Sequence, residues 1–303
     1  MIVSASYRSD IPAFYAEWFA RRRAAGFCLV ASPYGGASYR VPLAGPEVEG
    51  FVFWTRNAGP FLPVLDGLAA EGLPFVVHYT VTGYPRALEP AVPEAARGVA
   101  LIRELAARYG PQVAVWRYDP VMITSLTEAA WHRDTFRRLA AGLAGACDEV
   151  VLSFAQIYAK TRANTERAAR VRGFSWQDPE PEAKAALLAE LAGIARAAGI
   201  EPSLCAQPEL SAAGLRPARC IDAARLSAVG GRAIAIRQKG NRPGCLCAES
   251  RDIGAYDSCP HGCVYCYAVR RQDLAKARYK AQDPDSAFLG PAPKKVPKQA
   301  ARG

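Results

Sequence analysis

Much is missing from this 303-residue sequence. No apolar run reaches 18 residues before charge or proline breaks it, so no membrane span is expected. The opening MIVSASYRSD has no basic segment ahead of an apolar core, so no secretory leader is expected either. The absence of a Gly-rich Lys-Ser/Thr loop argues against a P-loop nucleotide enzyme. No Gly-x-Gly-x-x-Gly follows the first predicted strand, which disfavours a dinucleotide-binding doubly wound sheet. There are only three histidines. No Ser-His-Asp or Cys-His arrangement stands out, and no local hydrolase pattern is visible. These absences point to a cytoplasmic protein, where clustered cysteines more often bind metal or do redox work than form disulfides.

What is present is a globular composition, 50% hydrophobic and 22% charged, and nine cysteines. Seven of the nine fall between Cys205 and Cys266. The net charge is +10, and residues 201–303 carry 17 basic against nine acidic side chains. A solvated surface with a basic tail accounts for this charge; steering of an anionic, phosphate-bearing partner is the alternative. The tail segment Lys294-Lys295-Val296-Pro297-Lys298 has no interleaved aromatics on which bases could stack, so nucleic acid is weakly supported.

Short β-rich runs alternate with helical patterns. Strands are predicted at Ile2 to Ser6, Phe27 to Val30, Phe51 to Trp54, Phe75 to Tyr79, Val113 to Trp116, Val150 to Phe154, Ser203 to Ala206 and Ile234 to Ile236. Helices are predicted over Ile11 to Ala25, Phe61 to Glu71, Pro93 to Tyr109, Thr127 to Ala146 and Glu182 to Ala198. Such alternation implies βα units and a parallel sheet. About 240 residues of it predict a TIM-like (β/α) barrel, irregular or permuted in places, over residues 1–240. Residues 241–281 read as a cysteine-rich, iron–sulfur cluster-binding region with a helix over Val269 to Tyr279, and residues 282–303 as a basic flexible tail.

Polar groups lie just past the predicted strand ends, where a barrel assembles its active site. They include Thr55, Arg56 and Asn57 after Trp54, Thr82 after Tyr79, and Arg117, Tyr118 and Asp119 after Trp116. Tyr158 and Lys160 follow Phe154. Arg117 and Asp119 would bind substrate or cofactor, or pair with each other and brace the rim. Arg117, Tyr118, Asp119 and Lys160 are the candidate catalytic residues; Thr55, Arg56, Asn57 and Thr82 are the candidate cofactor contacts. His78 is expected inside a strand and His132 on a helix surface.

The strongest signal is Cys259-Pro260-His261-Gly262-Cys263-Val264-Tyr265-Cys266. Three thiolates spaced C-x₃-C-x₂-C can converge on one iron–sulfur cube and leave one iron open. Zinc is the alternative, although His261 lies inside the first spacer and is poorly placed to share the ion. Cys205, Cys220, Cys245 and Cys247 could make a second site, a further [4Fe–4S] cluster or structural zinc. Cys28 and Cys147 are expected to be bystanders.

The pattern C-x₃-C-x-Φ-C, with Tyr265 at Φ, resembles the signature of radical S-adenosylmethionine enzymes. The resemblance implies that Cys259, Cys263 and Cys266 hold a [4Fe–4S] cluster whose open iron chelates S-adenosyl-L-methionine, with Tyr265 beside the adenine. It implies reductive cleavage to methionine and a 5′-deoxyadenosyl radical that abstracts hydrogen from a substrate, fed by an electron donor such as flavodoxin or ferredoxin. In that superfamily the motif usually follows the first strand. Here it follows nearly all the βα units, so a permuted barrel or a last strand near Ile253 to Tyr256 would have to bring it to the same face. Over nearly the whole chain the sequence also resembles the DUF1848 family. The segments that carry this are Ile2 to Ser6, Trp54 to Asn57, Thr80 to Tyr84, Arg117 to Pro120, Ser153-Phe154, Gly244 to Cys247, Asp252 to Tyr256 and the three-cysteine motif with Tyr267-Ala268. Two readings compete with a radical enzyme. One is an iron–sulfur electron-transfer protein that does not use S-adenosylmethionine. The other is a nucleic-acid-binding or repair protein with a structural metal.

Overall fold

The computed structural model describes residues 1–32 and 37–292. It is a mixed α/β fold built on one sheet of eight parallel strands. In chain order these are β1 (Ile2–Ala5), β2 (Gly50–Thr55), β3 (Phe75–Thr80), β4 (Ala114–Val121), β5 (Glu149–Phe154), β6 (Glu201–Leu204), β7 (Arg216–Pro217) and β8 (Ser250–Asp252). Across the sheet they run β7-β6-β5-β4-β3-β2-β1-β8. That is the order of a barrel cut between its last two strands.

Strand alternation explains how both faces are buried. Val3, Phe51, Phe53, Val77, Tyr79, Trp116, Val150 and Leu152 point toward the helices and join the main core. Ile2, Val52, Val76, Val115 and Val151 occupy the alternate positions and form a second cluster with Ile221, Leu226, Ile234 and Ala248. The helices are amphipathic in the expected way. In Ala95–Tyr109 the buried residues are Gly98, Leu101, Ile102 and Leu105, one stripe at helical spacing, and the helix stops at Gly110, whose φ is +92°.

The expected barrel is not closed. No ladder joins β7 to β8 among the described residues. Each of these two short strands pairs on one side only, β7 with β6 and β8 with β1. A single backbone hydrogen bond, Ala248 N to Ile221 O at 2.8 Å, links the segments flanking them. Two of the predicted strands lie elsewhere. Phe27–Val30 pairs antiparallel with Tyr39–Pro42 in a separate hairpin, and Ile234 to Ile236 is not a strand. Among the described α-helices, Ala223–Gly230 has no counterpart in the sequence reading, and neither has the longer Ala159–Arg172. Its buried face is Thr161, Asn164, Thr165 and Ala168, so helical spacing is present without apolar residues to reveal it.

The segment assigned to a flexible tail begins packed against the fold. Trp18 Nε1 donates to Ser286 O at 2.9 Å, Leu29 N donates to Ala287 O, and Phe288 and Leu289 are buried. Residues 293–303, including Lys294, Lys295 and Lys298, lie outside the described residues.

Candidate thiolate sites at the strand ends

The three-cysteine loop follows β8 and is fastened from several directions. Val264 N donates to Leu88 O at 3.1 Å, and Ala91 N donates to His261 O at 3.1 Å. Asn164 Nδ2 on the polar helix donates to Val269 O at 3.0 Å. Gly262 has φ +82°, and a Cβ there would stand 2.8 Å from Pro90 Cγ, so both conformation and space call for glycine. The buried Asp10 carboxylate ties this loop to β2. It accepts from Thr55 Oγ1 at 2.7 Å and from Arg56 N at 2.8 Å, and it pairs with His261 Nε2 at 2.8 Å. The other ring nitrogen, Nδ1, lies 3.3 Å from Ala91 O.

Cys263 is buried, and Cys259 and Cys266 are half-buried. Burial pushes all three thiols up, Cys263 to about 12 and Cys259 well above the usual thiol range. Charge on Cys266 or Cys263 would raise Cys259 further, so the three groups sense one another. Against the loop lies a compact polar network. Arg56 Nη1 is 2.8 Å from Glu89 Oε1, Arg56 Nη2 donates to Tyr265 Oη at 2.6 Å, and Thr82 Oγ1 donates to Glu89 Oε1 at 2.9 Å. Tyr265 also donates to Glu89 and packs edge-on against Tyr84. Arg56, Thr82, Tyr84 and Glu89 line a cavity of about 240 Å³ beside this network.

The structure brings Arg56, Thr82 and Tyr265 together in one contact group. Thr55 stands behind it and orients Asp10. Asn57 shapes the following turn, its Oδ1 accepting from Gly59 N at 3.2 Å.

A second group forms where β6, β7 and the approach to β8 meet. Cys205 Sγ and Cys220 Sγ are 3.5 Å apart. Ile221 N donates to Cys247 Sγ at 3.3 Å, which sets Cys247 beside the Cys220 segment, and Cys245 lies two residues before it. Arg117 Nη1 donates to Cys220 Sγ at 3.1 Å, and Arg242 Nη2 donates to Cys205 Sγ at 3.4 Å. Arg117 also donates through Nε to Asp119 Oδ2 at 3.0 Å, and Ser153 donates to Asp119 Oδ1. Burial raises Asp119, but Arg117 and Ser153 outweigh it and hold the carboxyl below its ordinary value. His78 donates from Nε2 to Cys220 O at 2.6 Å and stacks on Trp54. Burial, then Arg117, push the His78 ring well below its ordinary value, so it is neutral.

The remaining expected site residues diverge. Tyr118 points to the opposite face of β4, into the helix-side core, where its hydroxyl lies 2.8 Å from His132 Nδ1. Alternation alone separates it from Arg117 and Asp119. His132, expected on the surface, is fully buried. Lys160 is exposed, with Nζ 5.0 Å from the Tyr256 ring centroid. Cys28 and Cys147 are isolated buried thiols, each pushed up to about 12 chiefly by burial.

Asp10, Glu89, Asp252 and Arg242 did not emerge from sequence reasoning. Asp252 accepts from Ser4 at 2.7 Å, Ser6 at 2.9 Å and Arg8 Nε at 2.8 Å. The polar run Ser6 to Asp10 just past β1 was the available signal, equivalent to those noted after the other strands. A larger groove of about 690 Å³, near Thr124, Trp176 and Glu190, contains none of the predicted site residues.

Among the described residues, no three His, Cys, Asp or Glu side chains already stand arranged to hold a metal ion. The donor chemistry nonetheless fits soft metals: seven thiols in two groups, with arginines beside both. This parallel α/β framework carries the three-cysteine loop past the end of β8 and draws the four-cysteine group from the segments after β6, after β7 and before β8. A model of the DUF1848 family, described as a domain of unknown function, matches residues 2–268, and the chain belongs to that family. Comparison with curated proteins returns no match.

Proposed function

We propose that this protein is a radical S-adenosylmethionine-type enzyme whose Cys259, Cys263 and Cys266 hold a [4Fe–4S] cluster. In this reading the open sheet acts as an irregular barrel, with the site at its strand ends. The observation that carries the proposal is the donor set of the loop. Three soft ligands lie within eight residues, while both nitrogens of the nearby His261 are engaged by Asp10 and Ala91 O. A Cys₃His zinc site would need one of those nitrogens, whereas a cluster with one open iron needs only the three thiolates. All nine cysteines are free, which supports a reducing, cytoplasmic setting.

When bound, the cluster supplies one-electron reduction of S-adenosyl-L-methionine; the chain supplies ligation, orientation and exclusion of water. Arg56 offers a fixed guanidinium beside the cluster loop, offsetting thiolate charge and available to a carboxylate that displaces Glu89. Thr82 and Tyr265 complete that polar wall. Arg117, Asp119 and the exposed Lys160 form the candidate contacts for a small, phosphate-bearing or otherwise polar substrate. The electron would come from a flavodoxin- or ferredoxin-type donor.

The test is anaerobic purification with iron and sulfide counts, followed by electron paramagnetic resonance of the reduced protein with and without S-adenosylmethionine. A cluster signal that shifts on addition, with 5′-deoxyadenosine released on reduction, is the expected result. A protein that holds zinc alone overturns the reading. The rival reading is electron transfer by the same loop's cluster without S-adenosylmethionine. A reducible cluster whose signal ignores S-adenosylmethionine would select it.

A further inference from the structure

The second half of the segment between β7 and β8 has little apolar packing of its own. From Gly231 to Leu246 one residue, Ile234, is buried. Yet this segment delivers Cys245 and Cys247 to Cys205 and Cys220, at the place where the sheet fails to close. Three of the four sulfurs also receive N–H donors: Cys220 from Arg117, Cys205 from Arg242, and Cys247 from Ile221 N at 3.3 Å.

Sulfur spacing distinguishes the two kinds of centre. Four thiolates on one tetrahedral ion, with metal–sulfur bonds of about 2.3 Å, stand about 3.8 Å from one another. Thiolates on separate irons of a cube stand outside its corners and are not in contact. Cys205 and Cys220 are in contact at 3.5 Å, and the backbone N–H of Ile221, next to Cys220, reaches Cys247 Sγ at 3.3 Å.

We propose that Cys205, Cys220, Cys245 and Cys247 bind one divalent ion, zinc or ferrous iron, as a clasp across the open edge of the sheet. On binding, the four thiols release four protons to solvent as the ion sheds its waters, leaving a centre of net charge −2. Arg117 and Arg242 supply the compensating charge. The ion replaces the hydrophobic packing that the 231–246 segment lacks. It joins β6 and β7 to the start of β8. Nothing in this inference depends on what the three-cysteine loop binds.

The test uses the full-length chain carrying Cys259→Ser, Cys263→Ser and Cys266→Ser, purified anaerobically. The expected result is one equivalent of zinc or iron without acid-labile sulfide, lost when Cys220→Ser is added and retained with Cys147→Ser. Cobalt in that site should give the intense near-ultraviolet charge-transfer bands of tetrahedral thiolate ligation. Absence of metal, or iron accompanied by equimolar sulfide, overturns the proposal. Should the triple variant not fold, wild type against Cys220→Ser decides: loss of one zinc or iron per chain with no loss of sulfide supports a single-ion site, and loss of iron with equal sulfide, or no loss, overturns it.

Discussion

The two cysteine groups are assembled by different means. In the three-cysteine loop, one turn of backbone brings the thiols together, and the rest of the molecule holds that turn from outside through Asp10, Leu88, Ala91 and Asn164. In the four-cysteine group, the thiols come from three separated segments and meet only because the sheet curls until its two ends approach. The first should therefore tolerate loss of its ligands without loss of fold. The second should report directly on how the sheet edges are joined.

The largest expected contrast is in metal content. Replacing Cys259, Cys263 and Cys266 by serine should remove the loop's iron and sulfide while leaving the far-ultraviolet circular dichroism unchanged. Loss of helical signal would show instead that the loop holds the fold together.

Next comes the buried pair beside the four-cysteine group. Arg117→Ala leaves Asp119 without its cation and removes the donor to Cys220, and should cost about 3 kcal/mol or more. Urea unfolding would measure this, and Arg117→Ala with Asp119→Ala should recover part of the loss. An additive result would mean that the pair is not coupled.

A smaller effect separates the site from the core behind it. Burial holds His132 down to about 4, against an ordinary value of 6.5. Below pH 6.5 the unfolded chain takes up this proton and the folded chain does not, so stability falls as pH drops toward 4. From pH 7 to pH 5 the loss attributable to His132 is about 2 kcal/mol. His132→Gln should flatten the pH profile by that amount; an unchanged slope would place the titration elsewhere.

The smallest expected effect lies on the polar helix. Asn164→Ala removes the hydrogen bond to Val269 O and should cost about 1 kcal/mol. The change should also speed alkylation of the three-cysteine loop in metal-free protein. Unaltered reactivity would mean that the helix does not restrain the loop.

Most of the sheet was legible because its strands are apolar on both faces and separated by amphipathic helices. Phe51 to Trp54, Phe75 to Tyr79 and Val150 to Phe154 all lie within observed strands. The helix Ala159–Arg172 was hidden because it buries threonine and asparagine against backbone carbonyls of the cysteine loop. The edge strand β7 was hidden because two residues carry no period, and β8 lies at Ser250–Asp252, just ahead of the Ile253 to Tyr256 segment where a last strand is expected. At the site, Arg56 and Thr82 stood out by their position past strand ends, and Tyr265 by its place in the three-cysteine motif. Tyr118 was misassigned because its neighbours on both sides face the other way.

By itself the sequence determined the parallel βα order and the close spacing of Cys259, Cys263 and Cys266, since both depend on periods and distances of a few residues. Only the tertiary structure decided that the sheet stops short of closure, that Glu89 and Asp10 enter the site, and that four scattered cysteines share one place. Those outcomes depend on where elements far apart in the chain come to rest, as Asp10 and His261, 251 residues apart, do. No local pattern encodes such a meeting, because the energy that favours it arises only when the partners are already buried together.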